Sequence, residues 1–590
     1  MKPKILAVFQ EHSTSSSETV TLSTDNYFTN VYVGLKSAIL SKFYKIFGFK
    51  VYYWNRGSSL NNSFDDRNKL VPPPREEYRR LSSDASSKFE KYFCDNFSKA
   101  DIYLLDYIKR CISYDYNSYY SFRIAVDKQF GDENKIIIIA PKFLKMIHNN
   151  TKAKLYPFRL FTLFSSLFTV SITFIRALIG YWIADEKKSI PKDVLFLRKK
   201  IAYDLGFYEE CYKYLTEKEV SILGSFTNFS RSLQKYGFYY LNVFRGSLFN
   251  IINSYQKSLV YAMRDIVLFS KLHGLPRRLF QKLINDSFQA HFIIGLDAQI
   301  IFGEIHSKPI HILLYRYKKS TQIIASFNES FIAAPRTSYD YCHLDIYYSM
   351  NQIEASSINI NGGNIRNYVF VPFFRKYLKT DSKGISKDLQ ALIEKYHQTV
   401  VVVLNRVPDF YATYDKAWLI NFIISIINII EKYDDILFVL KEKKNDLHII
   451  SKNILQKLNT FPNCYLIRSK EPKQLFYNQF EDLIPHMNLT ISTHYCSTTV
   501  WQSLSHNVPV IGIKLRSLKS IFSKFPYFEV TLDKLEMAML YWLNIGKNEW
   551  DRYTTQIDDI VNFGDSDGIK VISHHLISLL NDRKVNKYIK

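Results

Sequence analysis

The chain lacks most of the short signatures by which a sequence declares its chemistry. It runs to 590 residues, yet it has no Gly-x-x-x-x-Gly-Lys-Ser/Thr loop and no Gly-x-Gly-x-x-Gly after a strand-like run. That excludes a P-loop and the standard dinucleotide fingerprint. His-Glu-x-x-His and Gly-x-Ser-x-Gly are also missing, so neither a zincin helix nor a nucleophile elbow is expected. The cysteines are Cys94, Cys111, Cys211, Cys342, Cys464 and Cys496. They form no Cys-x-x-Cys pair and no metal-ligand spacing. Without a disulfide framework, a reducing and hence cytoplasmic compartment is expected. The opening stretch "MKPKILAVFQEHSTSS" has no long apolar core and no cleavage pattern, and reads as a strand that starts a domain. The uncharged run Leu160–Ile175 falls short of the ~20 residues that a bilayer crossing needs, and Arg176 interrupts its continuation.

Acidic residues are also in deficit: Asp and Glu total 55 against 78 Lys and Arg, a formal charge of +23. Such a surplus suits nucleic acid, anionic lipid or phosphorylated substrates. It also fits a codon bias, since Lys, Ile, Asn, Tyr and Phe are abundant together. The basic residues are spread along the chain, with no compact motif interleaving them with aromatics, which argues against a nucleic-acid-binding protein.

What is present is core-forming. Hydrophobic residues make up 47%, with 43 Tyr and 44 Phe. A chain of this length needs two to four domains. "KILAVFQ", "KVYYWN", "ADIYLLDY" (100–107) and "NKIIIIAPK" read as strands of an alternating α/β domain over 1–150, with an exposed loop or insertion over 61–90. Residues 151–290 read as a helical, aromatic-rich insertion. Its segment 158–188 is the most hydrophobic of the chain. Lys152, Lys154 and Arg159 stand before it, with Lys187, Lys188 and Lys192 behind. The segment reads first as a buried helix of a helical subdomain, with a membrane-spanning helix as an alternative; its basic flanks also fit an interfacial helix in peripheral contact with an anionic membrane. Strand-like runs over 291–385 read as a return to the first domain and a linker. Residues 386–590 then show strands and helices in alternation at short spacing, which implies a parallel sheet with right-handed crossovers.

In open α/β sheets, ligands bind beyond the carboxyl ends of the strands. Lys441 and Lys443 follow one strand of the last domain, and Arg468 follows the next. Thr493, His494, Ser497, Thr498 and Thr499 follow a third. Cations and hydroxyls on three loops of one edge, beside a helix N-terminus, suit a phosphate group.

The last of these segments, "TISTHYCSTTVWQSLSHNVPVIGI", resembles the nucleotide-sugar signature of GT-B glycosyltransferases. Ser497 and Thr498 match its Ser/Thr-rich turn. Gln502-Ser503-Leu504 match its Glu-Ala-Leu-like triplet, and Asn507 with Pro509-Val510-Ile511 match its Gly-x-Pro-Val-Ile. The later "NFGDSDGIKVISHHLISLL" resembles the Asp-Gly and C-terminal helix of bacterial surface-carbohydrate and capsule transferases. The resemblance covers about 400–580.

It implies a GT-B-like α/β fold, with two Rossmann-like domains facing a cleft and a helical insertion in the first. It also implies a nucleotide-sugar donor in the C-terminal domain and a glycan or lipid-linked acceptor in the N-terminal one. The diphosphate would be neutralised by protein cations, with no metal and no cofactor. Lys441, Lys443 and Arg468 are the candidate cations. An inverting reaction would need a base from the first domain. His12 and Glu11, after the first strand, are the candidates, with Asp106, Asp297 and Glu304 as further carboxylates.

Two departures stand out. Gln502 takes the place of a Glu that receives the ribose hydroxyls in relatives, and Asn507 takes the place of Gly. A CDP-alditol phosphotransferase would show Lys-x-His-Pro where this chain has Lys441-Glu442-Lys443. An epimerase of the same fold fits less well with so large an insertion.

Overall fold

The computed structural model describes residues 4–9, 49–54, 75–97, 101–130, 136–139, 142–151, 193–197, 222–225, 277–295, 297–303, 309–327, 341–356, 358, 362–373, 384–404, 416–442, 452–468, 478–493, 498–513, 525–561 and 567–588, with single helical residues at 211, 214, 215, 256, 257, 260, 261 and 264. The hydrophobic segment 158–188 lies outside the described residues. Among the described residues, no helix is long and apolar enough to cross a membrane.

The first sheet is small. Strand β1 (Lys4–Phe9) pairs in parallel with β2 (Phe49–Trp54) and with β3 (Ile136–Ile139). Two stretches between them depart from the sequence reading. Residues Arg75–Phe97 form helix α1, not an exposed loop. Its buried Ala85, Phe89, Tyr92 and Phe93 fall at i, i+4, i+7 and i+8, one helical face. Pro74 sits just before its first residue, so the proline run marks a helix entrance.

"ADIYLLDY" is likewise not a strand but the start of α2 (Ile102–Phe130). Leu104, Tyr107, Ile108, Ile112, Tyr116 and Tyr119 are buried along one side of it. That 3.6-residue period shows only over a window longer than the apolar run itself. Helix α3 (Lys142–His148) follows β3.

The second sheet begins inside the stretch that the sequence presents as helical. Strands β4 (Val194–Leu197) and β5 (Ile222–Ser225) pair in parallel. After helix α4 (Arg277–Gly295), β6 (Ile300–Gly303) pairs with β4. Helix α5 (Ile310–Tyr317), β7 (Ile323–Phe327), β8 (Cys342–Ser349), α6 (Gln352–Ser356) and β9 (Gly363–Phe370) complete the unit. The order is β5-β4-β6-β7-β8-β9, parallel throughout. The strands over 291–385 therefore join β4 and β5, not β1.

Residues alternate between the two faces of this sheet, as the pleat requires. Leu195, Ile301, Ile324 and Tyr347 pack with the buried faces of α1, α2, α4 and α5. Val194, Ile300, Phe302, Ala325 and Tyr348 point to the other side.

The third sheet is the clearest. It comprises α7 (Lys387–Lys395), β10 (Gln398–Leu404), α8 (Lys416–Lys432), β11 (Ile436–Glu442), α9 (Lys452–Thr460), β12 (Cys464–Ile467), α10 (Phe480–Leu483) and β13 (Leu489–Ser492). Then come α11 (Thr498–Ser505), β14 (Val510–Ile513), β15 (Glu529–Val530), α12 (Leu535–Leu543), α13 (Lys547–Val561) and α14 (Gly568–Tyr588). The strand order is β12-β11-β10-β13-β14-β15, all parallel. That is the doubly wound 3-2-1-4-5-6 order of a Rossmann unit.

The valine run of β10 is buried on both faces. Val401 and Val403 pack toward α7 and α10, and Val400 and Val402 toward α8 and α12. Two Rossmann-like parallel sheets in one chain give it a GT-B-like α/β architecture.

Helix α14 does not stay with the third sheet. Ser573 Oγ donates to Cys211 Sγ at 3.2 Å, and the Tyr348 hydroxyl meets His575 Nδ1 at 3.0 Å. Its apolar residues Ile569, Ile572, Leu576 and Leu580 belong to one buried cluster with Val194, Ile300 and Phe302 of the second sheet and Val400 and Ile491 of the third.

Candidate functional site

Strand order reverses between β10 and β13. Crossovers leave these two strands toward opposite faces, so a crevice opens at their carboxyl ends. Ser492 and Thr493 stand there, both fully buried. The Thr493 amide donates to Val403 O at 3.4 Å and ties the end of β13 to the end of β10.

Helix α11 starts at Thr498, just beyond the same edge, so its unpaired N–H groups and positive dipole end belong to that edge. Buried Val500, Trp501 and Leu504 fix the helix against the sheet. Thr490 and Ser503 join their hydroxyls at 2.9 Å, and Ser503 Oγ donates to Thr499 O at 2.8 Å. The helix ends in a Schellman turn. The Val508 amide donates to Ser503 O and the Asn507 amide to Leu504 O, each at 3.0 Å. Asn507 holds the left-handed position with φ 60°, the conformation that asparagine tolerates best after glycine. The substitution of Gly by Asn in the signature thus leaves the turn intact.

The predicted cations behave differently from one another. Lys441, near the end of β11, is half-buried and donates from Nζ to Asn478 O at 2.9 Å. Burial pushes its pKa down, and the charges of Glu481 and Asp482 partly counter that. Asn478 has φ 57° and accepts the Ser386 amide on its own Oδ1 at 2.8 Å, while Gln479 and Asp482 cap α10 reciprocally. Lys441 therefore braces the chain that leads into α10. Arg468, directly after β12, is half-buried and has no hydrogen bond or ion pair among the described residues.

Gln502 lies in the second turn of α11 and is 4% exposed. Its Nε2 donates to Glu481 Oε1 at 2.8 Å. Its own side-chain oxygen has no donor among the described residues. Glu481 and Asp482 are site residues that the sequence reading missed. They stand in an unremarkable polar stretch, "NQFEDL", whose approach to α11 depends on a contact across 21 residues.

The structure thus brings Lys441, Arg468, Thr493, Thr499 and Gln502 to one sheet edge. Of Thr498, the helical backbone alone is described. Lys443, His494, Ser497, His12, Glu11 and Glu304 lie outside the described residues. Of the other carboxylates, Asp106 is buried and pairs with His343 Nε2 at 2.8 Å, and Asp297 is exposed and pairs with Lys319 at 2.7 Å. Both have partners within the fold. Among the described residues, no group of His, Cys, Asp and Glu could hold a metal ion.

No protein-family model matches the chain, and no curated protein matches it. Solved structures do. A UDP-N-acetylglucosamine 2-epimerase from Listeria monocytogenes is 11% identical and covers 66% of this chain and 97% of its own, with a TM-score of 0.42. Os79 from O. sativa in complex with UDP is 11% identical, covering 66% and 100%, with a TM-score of 0.40. The trehalose-6-phosphate synthase OtsA is 10% identical, covering 66% and 99%, with a TM-score of 0.37.

Proposed function

We propose that the chain is a glycosyltransferase that moves a sugar from a nucleotide-sugar donor to a surface-polysaccharide or lipid-linked glycan acceptor. One observation carries the reading. At the switch point of a Rossmann-ordered sheet, three features share one edge: a helix N-terminus, a half-buried arginine with no partner among the described residues, and a buried amide with an open acceptor oxygen. A nucleoside diphosphate is the ligand that uses all three: phosphate for the cation and the helix end, ribose hydroxyls for the acceptor.

In this reading Arg468 meets the diphosphate, with Lys443 and the turn of His494, Ser497, Thr498 and Thr499 beside it. Thr493 shapes the floor, and Gln502 faces the ribose. Lys441 acts on the site through the chain it braces. His12 and Glu11 are the proposed base. The leaving diphosphate would be stabilised by protein cations without a metal, and the basic flanks of 158–188 would favour a peripheral position at an anionic membrane face.

The test is a thermal-shift panel of UDP, GDP, CMP and CDP on the wild type and on Arg468→Ala. One nucleoside diphosphate should raise Tm, and Arg468→Ala should lower its affinity roughly tenfold or more, as loss of a charge-assisted pair does. Indifference to the whole panel would sink the reading. Incubation with the matching nucleotide sugar then separates transfer from epimerisation: transfer releases nucleoside diphosphate, whereas epimerisation returns an intact isomeric nucleotide sugar.

A further inference from the structure

Glu481 has one hydrogen-bond partner among the described residues, the Gln502 amide, and that bond dictates which way the amide faces. A primary amide is symmetric in shape but not in chemistry. One end donates twice and the other only accepts. A carboxylate has no proton to give, so the nitrogen of Gln502 must turn to it and the oxygen must turn away.

The Gln502 backbone oxygen is engaged separately, by Ser505 Oγ at 2.8 Å and His506 Nδ1 at 2.9 Å, so the main chain beneath the side chain is also fixed. The result is a buried side chain, 4% exposed, whose amide oxygen receives nothing from the described residues. Lys441, whose Nζ donates to Asn478 O at 2.9 Å, adds a positive charge that acts on Glu481 and Asp482 through space.

We infer that Glu481 is a positioning residue that locks Gln502 as an acceptor for a hydroxyl group of the bound ligand. The inference rests on the nucleotide-sugar reading and assigns that oxygen to the ribose diol. It also says why glutamine serves here. The pair of Glu481 and Gln502 presents outward an oxygen that only accepts, as a carboxylate would, without placing a second negative charge beside the diphosphate. Glu481 does not touch the ligand; it acts through Gln502.

The experiment compares binding of UDP, GDP and CDP with binding of their 2′,3′-dideoxy counterparts by isothermal titration. The proteins are the wild type, Glu481→Gln, Gln502→Glu, Gln502→Leu and the double swap Glu481→Gln/Gln502→Glu. The wild type should prefer the ribonucleotide by roughly tenfold, the scale of one buried hydrogen bond. Gln502→Leu should abolish the preference while leaving dideoxynucleotide affinity in place. Glu481→Gln frees the amide to turn either way and should cut the preference severalfold. Gln502→Glu sets two carboxylates in contact and should cut it too. The double swap exchanges the two groups, so that the amide on α10 donates to the carboxylate on α11. The bond returns with its polarity reversed, and the preference should return with it.

That rescue is an outcome a merely structural contact would not give. If the wild type discriminates but the single variants and the swap leave the ratio unmoved, the inference is overturned and the nucleotide reading stands. If no diphosphate of the three binds the wild type, both fall.

Discussion

Lys441 and Arg468 stand at adjacent strand ends and carry the same charge, yet the fold uses them in opposite ways. A lysine that donates to a backbone carbonyl within the fold is committed to the protein. An arginine that is half-buried and unpaired among the described residues is available to an anion. Position after a strand gives candidates, but the partner of each head group decides its role.

The same rule governs His148, which closes α3 against α1 and α2. Its ring stands 5.8 Å from Tyr119 and 5.5 Å from Tyr120. Burial, with the charges of Lys88 and Arg123, lowers its pKa from 6.5 to about 4. The folded state therefore binds fewer protons than the unfolded state between pH 6.5 and about 4. Stability is fully held above pH 6.5 and lost as the pH falls through that window. The ring is part-exposed, so solvent screening brings the effect to about 1 kcal/mol, below the ceiling set by the full shift. His148→Leu should flatten the pH dependence of the denaturation midpoint over pH 4–6.5. An unchanged slope would place the acid sensitivity elsewhere.

At the scale of elements, α11 shows what its sequence makes legible. The strand, the helix and the returning strand within residues 489–513 all form where the pattern places them. Each is local, bounded by polar residues and set in a sheet whose strands are buried on both faces. The turn at Asn507 gives a direct check. Asn507→Ala puts a Cβ without a stabilising polar group at φ 60° and should cost about 1 kcal/mol. Asn507→Gly should be neutral or gain a few tenths. Chemical denaturation of the two variants reads the difference, and an alanine variant as stable as wild type would contradict the strained-turn account.

The first half of the chain is less legible for a physical reason. β4 and β5 have four residues each, too few for a period to show, and they lie between helical patterns. α2 begins with an apolar run that mimics a strand until its tyrosines at 116 and 119 reveal the helical face. Glu481 is hidden for another reason. Its role depends on a side-chain contact between two elements, which no local window contains.

At the scale of the molecule, the second and third sheets share one hydrophobic cluster, and α14 helps to make it one. The helix leaves the third sheet with Ile569 and Ile572 fully or nearly buried, and His574 and His575 then meet Tyr214, between β4 and β5, and Tyr348 of β8. A helix that buries one face against two sheets couples their opening, because neither can expose its part of the cluster without loosening the other. Leu576, with no exposed surface, sits in the middle of that contact. Leu576→Ala should cost about 2–5 kcal/mol, the range for a large-to-small change in a packed core. Its signature should be double. Hydrogen exchange should quicken at the amides of β8 and of β10 by similar factors, although the two strands belong to different sheets. Leu389→Ala offers the contrast. Leu389 lies in α7, on the opposite face of the third sheet, in a cluster that holds no residue of the second. Its loss should quicken exchange in β10 and leave β8 nearly unchanged. If Leu576→Ala loosens β10 alone, α14 is a passive appendage of the third sheet. If both strands respond together, the C-terminal helix is the element that makes two Rossmann-like units behave as one body.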